Sequence, residues 1–191
     1  KEHLYGDKDN SGLVSQLKQR VGTLRRLSKY MSKERLKMMV SGIFYSKLMY
    51  CLPVFGNVHG LNIYKDSKGR SAGMTVTDCN KLQVLQNSVN RLITGARQGV
   101  ATVDLLKDTN ILSIQQMVAY YTLIMVHKVT MTGKPSYLAG KLRLRDESAR
   151  ELRAWGGRTV ETPTYKLETS RAGFVHGGSK LYNSLSRSLR E

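Results

Sequence analysis

The chain has 191 residues, 40% of them hydrophobic, which suffices for one domain or two small ones with a real core and argues against a disordered polyelectrolyte. No uninterrupted apolar run approaches the ~20 residues that a membrane span needs, since "MMVSGIFYS" is cut off by Lys37 and Lys47. Against 14 Asp and Glu stand 31 Lys and Arg, a formal net charge of +17. Such an excess points to an anionic partner, nucleic acid first and an anionic membrane second, with solubility as the bland alternative.

The chain opens at Lys1 in mid-element, so we expect a piece of something longer. Residues 13 to 30 carry Leu13, Leu17, Val21, Leu24 and Leu27 at three- and four-residue spacings, the apolar stripe of a helix. Lys18, Arg25 and Lys29 fall within about 40° of one another on that helix and roughly 120° from the stripe. They form a cationic ridge, flanked by Arg26 and continued past the turn by Lys33, Arg35 and Lys37. A solvated helix face normally interleaves acids as i, i+4 partners, and here Glu34 stands almost alone. Such a ridge can straddle phosphates without reading bases. Tyr30, at the corner, either stacks on a base or sugar or simply packs the corner.

Ser32 suits the N-cap of a second helix whose core face is Leu36, Met39, Val40, Ile43, Phe44 and Leu48, ending before Pro53. The two helices make an antiparallel hairpin over residues 13–56. Residues 57–77, rich in Gly, Ser and polar groups, read as a long loop. A third helix from Asp78 to Gly95 turns Leu82, Leu85, Val89, Leu92 and Ile93 inward, and Gln86, Asn87 and Arg91 are placed on its polar side. These three are either further ligand contacts or local caps and surface hydrogen bonds. A short helix spans 101–107, and Ser113 with Gln116 in capping-box spacing opens another, with Ile114, Met117, Val118, Tyr121 and Ile124 on its apolar side. Residues 140–176 read as mostly irregular, and 177–191 as a terminal helix through Leu181, Leu185 and Leu189. The fold class is therefore mainly α. We expect a bundle in which the hairpin packs on the third and fourth helices and the terminal helix closes it.

Catalytic and metal chemistry find little support. His3, His59, His127 and His176 are scattered and none pairs with a cysteine at ligand spacing. "DKDNSG" copies the first half of a calcium loop, but position twelve falls on Lys18 where a bidentate Glu is required. There is no Walker loop, and "WGG" and "HGG" are lone glycine pairs. No adjacent Asp-Asp pair exists to hold two metals for nucleotidyl transfer. We expect no catalytic residues, no metal and no cofactor. Cys51 and Cys79 sit in apolar-periodic segments, and nothing resembles a secretory signal. Buried free thiols in a cytosolic or nuclear protein follow.

Three ordered blocks, "RVGTLRRLSKYMSKERLKMMVSGIFYSKLMYCLPVFGN", "LQVLQNSVNRLITG" and "GSKLYNSLSRSLR", resemble the region downstream of the palm in non-LTR (LINE-like, jockey-type) retrotransposon reverse transcriptases. The matching positions are Tyr50, Cys51, Val54, Phe55 and Gly56; Leu85, Gln86, Asn87 and Arg91; and Tyr182, Asn183, Ser184 and Leu185. Phe55 and Tyr182 stand where the family more often has tryptophan. The resemblance covers nearly the whole chain. It implies that residues 1–12 end a palm-like segment, "KEHL" finishing its last strands, that 13–56 is the thumb, and that the catalytic carboxylates belong to an upstream palm and fingers. It also implies RNA and DNA, as a template-primer duplex, for the partner. A helical protein-interaction scaffold and a repurposed stand-alone fragment remain the alternatives.

Overall fold

A computed structural model describes residues 2–5, 12–56, 74–145, 158–166 and 173–190. Residues 57–73 of the loop expected over 57–77 and the calcium-loop-like start of "DKDNSG" lie outside these residues, as do 146–157 and 167–172 of the stretch expected to be irregular; the described end of that loop is already helical from Val76, capped by Thr75. The described chain is mainly helical. It resolves into two compact units rather than a single bundle: Lys1–Phe55 with Thr75–Met117, and Gly56–Met74 with Val118–Glu191.

The first unit begins with a single helical turn, α1 (Glu2–Tyr5), where the resemblance implied the end of a strand. Leu4 is buried, and the Tyr5 hydroxyl donates to the Asp78 carboxylate while accepting from Lys81 Nζ at 3.1 Å. That anchor ties the turn to the start of another helix. Helix α2 (Leu13–Leu27) buries Leu13, Val14, Leu17, Val21 and Leu24, while Leu27 is half-buried. Ser32 caps α3 (Lys33–Val40) by accepting from the Arg35 amide at 3.5 Å. The helix then widens into a π-helical stretch, Ser41–Tyr45, before α4 (Ser46–Met49). Side chains take two carbonyls of this widened turn: Arg20 donates to that of Ile43, and Ser46 to that of Gly42. The extra residue turns Tyr45 inward beside Phe44, their rings edge-to-face at 5.2 Å. The helix stops before Pro53, as expected, and Cys51 breaks it with φ 56 before α5 (Leu52–Phe55).

Helix α6 (Val76–Thr94) opens on a full capping box, Thr75 with Asp78, and closes on Gly95 at φ 74, a conformation costly for a residue with a Cβ. It packs on α2, α3 and α7 (Thr102–Thr109). Ser113 and Gln116 cap each other's backbone at the start of α8 (Ile114–Thr132), with N–H···O distances of 2.9 and 3.3 Å. Of its expected apolar face Ile114, Met117 and Val118 are buried, but Ile124 is 43% exposed.

In the second unit Val126, Val129, Leu142, Val160 and Tyr182 form the core. Residues 140–145 and 158–166 carry no helix, in line with the irregular reading, and meet in one antiparallel bridge, Leu144 with Val160. A short α9 (Ser136–Ala139) precedes them. The expected terminal helix is two pieces, α10 (Phe174–Asn183) and α11 (Arg187–Arg190), and Leu189 is 65% exposed. The break has a local cause. Ser184 Oγ takes the Leu181 carbonyl at 2.7 Å, and serine hydroxyls compete with helix continuation in this way. Asn183 meanwhile brackets Val160 like a neighbouring strand, accepting from its amide at 2.9 Å and donating to its carbonyl at 2.8 Å.

Candidate nucleic-acid interface

The ridge stands on two elements of the first unit. With its apolar stripe turned inward, α2 presents Lys18, Arg25 and Arg26 to solvent; Lys29, expected on the same helix, lies instead in the turn past its end at Leu27, and α3 adds Lys33, Arg35 and Lys37. All seven are exposed. Arg25 and Arg26 sit in the last turn of α2, where the partial negative charge of the helix end favours cations. Glu34 is the single acid between residues 13 and 55, and it is turned to capping. Its own backbone amide first, then the Ser32 hydroxyl and the Lys33 charge, hold its carboxyl below the ordinary value. Tyr30 is 87% exposed at the corner, so it does not pack there.

Gln86 and Asn87 are elsewhere. Both are buried, which corrects the expectation that they lie on a solvent-facing polar side. Gln86 Nε2 donates to the Leu112 carbonyl at 2.8 Å and to Tyr45 Oη at 3.4 Å, and its Oε1 accepts from Gln83 at 2.7 Å. Asn87 donates to Thr102 Oγ1 at 2.8 Å and accepts from Gln83 at 3.0 Å. Gln83 closes the set by accepting from the Ile114 amide at 3.1 Å, and Tyr45 Oη donates to Asn90 Oδ1 at 3.1 Å. These amides pin α6 to the hairpin, α7 and the start of α8. Burial pushes the Tyr45 phenol up to about 12, with the Gln86 hydrogen bond pulling the other way. The angular signal for Gln86 was present: four residues after Leu82 it lies only about 40° away, inside the apolar stripe.

Arg91 behaves differently. It is half-buried, its Nη2 reaches the Val100 carbonyl at 3.5 Å, and its Nε is buried without an acceptor. It lines a groove of about 360 Å³ together with Arg25, so the structure brings it to the ridge while withdrawing its two sequence neighbours. A larger groove of about 580 Å³ between α6 and α7 is walled by Val103, Leu106 and Ile111, with Lys107 its one cation among the described residues.

Both cysteines are free; Cys51 is exposed, contrary to expectation, because the chain break at positive φ turns it out of the helix. Cys79 is buried, and burial first, then the Asp78 charge, push its thiol up to about 11. At Asp78 burial raises the carboxyl, but hydrogen bonds from Tyr5 and from the side chain and backbone of Thr75, with the Lys81 charge, outweigh it and leave a net lowering. Among the described residues no three His, Cys, Asp or Glu converge, and no helix is long and apolar enough to cross a membrane. Compared with family models, curated proteins and solved structures, the chain finds no match in any of the three.

Proposed function

We propose that this chain is a non-catalytic nucleic-acid grip, the thumb and following helical region of a non-LTR retrotransposon reverse transcriptase. It holds template-primer duplex or template RNA by its phosphates, acts inside the cell in nucleus and cytoplasm, and leaves bond-making to carboxylates in the parent's palm. The observation that carries the grip is the run of seven exposed cations along α2, the turn and α3, with one acid among them. A cation ridge without interleaved acids neutralises phosphates and contributes positioning. The retroelement part of the reading is supported by the three ordered sequence blocks.

Salt-dependent binding tests it. On an RNA–DNA hybrid and on unrelated single-stranded RNA, the log–log slope of affinity against salt should be several units, about 0.7 to 0.9 per neutralised phosphate. Affinity that stays flat between low and moderate salt, or no binding at all, removes the grip and leaves the protein-interaction scaffold.

A further inference from the structure

We infer that the groove between Arg25 of α2 and Arg91 of α6 is a phosphate subsite, taking one backbone phosphate of the strand that lies on the ridge. The inference rests on the nucleic-acid reading and adds a second element to the contact surface.

Arg25 of the ridge and Arg91 of the last turn of α6 both line this groove of about 360 Å³. Among the described residues no acidic side chain lines it. Two permanent cations sharing one groove repel each other, and an anion between them turns that repulsion into attraction. Arg91 has donors to spare. A guanidinium carries five N–H groups, and among the described residues this one is engaged through Nη2 at 3.5 Å, the long edge of hydrogen bonding. Its buried Nε has no acceptor, a costly state for a charged donor. A phosphate offers the fork-shaped acceptor that arginine matches bidentately, and two arginines from different elements fix its position.

The remaining walls suit a nucleotide. Leu92 and Ala96 give an apolar strip for the sugar, and Gln98 stands exposed at the rim. Ser88 turns its hydroxyl proton to the Val84 carbonyl at 2.9 Å, so it does not compete as a donor. Gln98 is thus the residue that probes the subsite without disturbing the fold.

The test uses the full chain with labelled single-stranded RNA and an RNA–DNA hybrid, each titrated across salt, beside thermal melts. Gln98→Glu should weaken binding about tenfold at low salt, through one added like charge near the phosphate, and Gln98→Lys should tighten it. Both should melt like the parent. Arg91→Gln should lower the salt slope by about 0.7 to 0.9, the share of one phosphate, and Arg91→Lys should restore most of it. If the parent binds steeply but the Gln98 variants and Arg91→Gln bind as it does, the subsite is wrong and the ridge stands. Equal weakening by Gln98→Glu and Gln98→Lys would mean a shape effect, which also overturns it. A parent that shows no salt-dependent binding removes the functional reading and the subsite together.

Discussion

The outer face of α2 and the amide face of α6 are both polar, both on long helices of the same unit, and end in opposite environments. Lys18 and Arg25, with Lys29 in the turn just past the helix end, stay in water, whereas Gln86, Asn87 and Asn90 go into the interior. The difference follows from what each group needs in order to leave solvent. Burying an ammonium or guanidinium costs several kcal/mol unless a counter-charge goes with it, and this hairpin has one acid to offer. A neutral amide costs far less and carries its own complement, a donor and an acceptor on one group. Gln83, Gln86 and Asn87 therefore satisfy one another and use their remaining groups on Leu112, Thr102 and Ile114. Polar character alone therefore does not separate a solvent face from an internal network; whether the group carries a net charge does.

Mutations that separate the two faces sharpen this contrast, and the largest loss of stability belongs to the apolar side of α2. Leu24 is fully buried, so Leu24→Ala should cost about 2 to 5 kcal/mol in urea unfolding through transfer and cavity terms. Next comes the amide face. Gln86→Leu fills similar space but strands the Leu112 carbonyl and the Gln83 amide, for a loss of about 1 to 3 kcal/mol. If Gln86→Leu instead melts like the parent while nucleic-acid affinity drops, Gln86 is a contact residue and the contrast collapses.

Much of the first unit was legible because its signals are local. The α2 stripe, the Ser32 cap, the paired Ser113 and Gln116 and the stop at Gly95 each depend on residues within one or two helical turns. What was missed depends on partners far along the chain. Tyr45 turns inward through a π-helical turn whose carbonyl is taken by Arg20, 23 residues earlier. Arg91 joins Arg25 only once α6 lies against α2. Leu189 continues a period of four from Leu181 and Leu185, yet the serines between them end the helix first. For Gln86 the failure was one of reading: residue type was weighed over an angle that already placed it in the stripe.

The capping carboxylate of α6 gives a smaller effect that depends on pH. Asp78 is held below its ordinary value in the folded chain, so its contribution is present above the unfolded carboxylate pKa, 3.8, and is lost as pH falls through the lower folded value. Urea midpoints taken from pH 5 down to pH 2 should fall more steeply for the parent than for Asp78→Asn, which starts lower and has nothing to protonate there. Parallel curves would mean that the Tyr5–Asp78–Thr75 cluster does not distinguish charged from neutral.

The smallest change in stability should come from the ridge, and it is paired with the largest change in binding. Lys18, Arg25 and Lys29 are exposed, and Glu34 is the one acid in the hairpin that carries them. Reversing each to Glu should therefore alter stability by no more than about 0.5 kcal/mol, the usual range for surface sites. The reversal even relieves some of the self-repulsion of a chain carrying +17, which works against any loss. Under the proposed grip, binding should respond in the opposite sense, because three attractions to phosphate become three repulsions. The salt slope of the triple variant should drop by about 2 to 3 units relative to the parent, and affinity at low salt should fall with it. Leu24→Ala is the matched control, one residue from Arg25 and on the other face: it should lose stability while keeping the parent's slope wherever it is still folded. A triple variant that melts normally and grips an RNA–DNA hybrid as tightly as the parent would make the ridge an ordinary solvated surface. The outer face of α2 would then differ from the amide face of α6 in burial alone, and not in function.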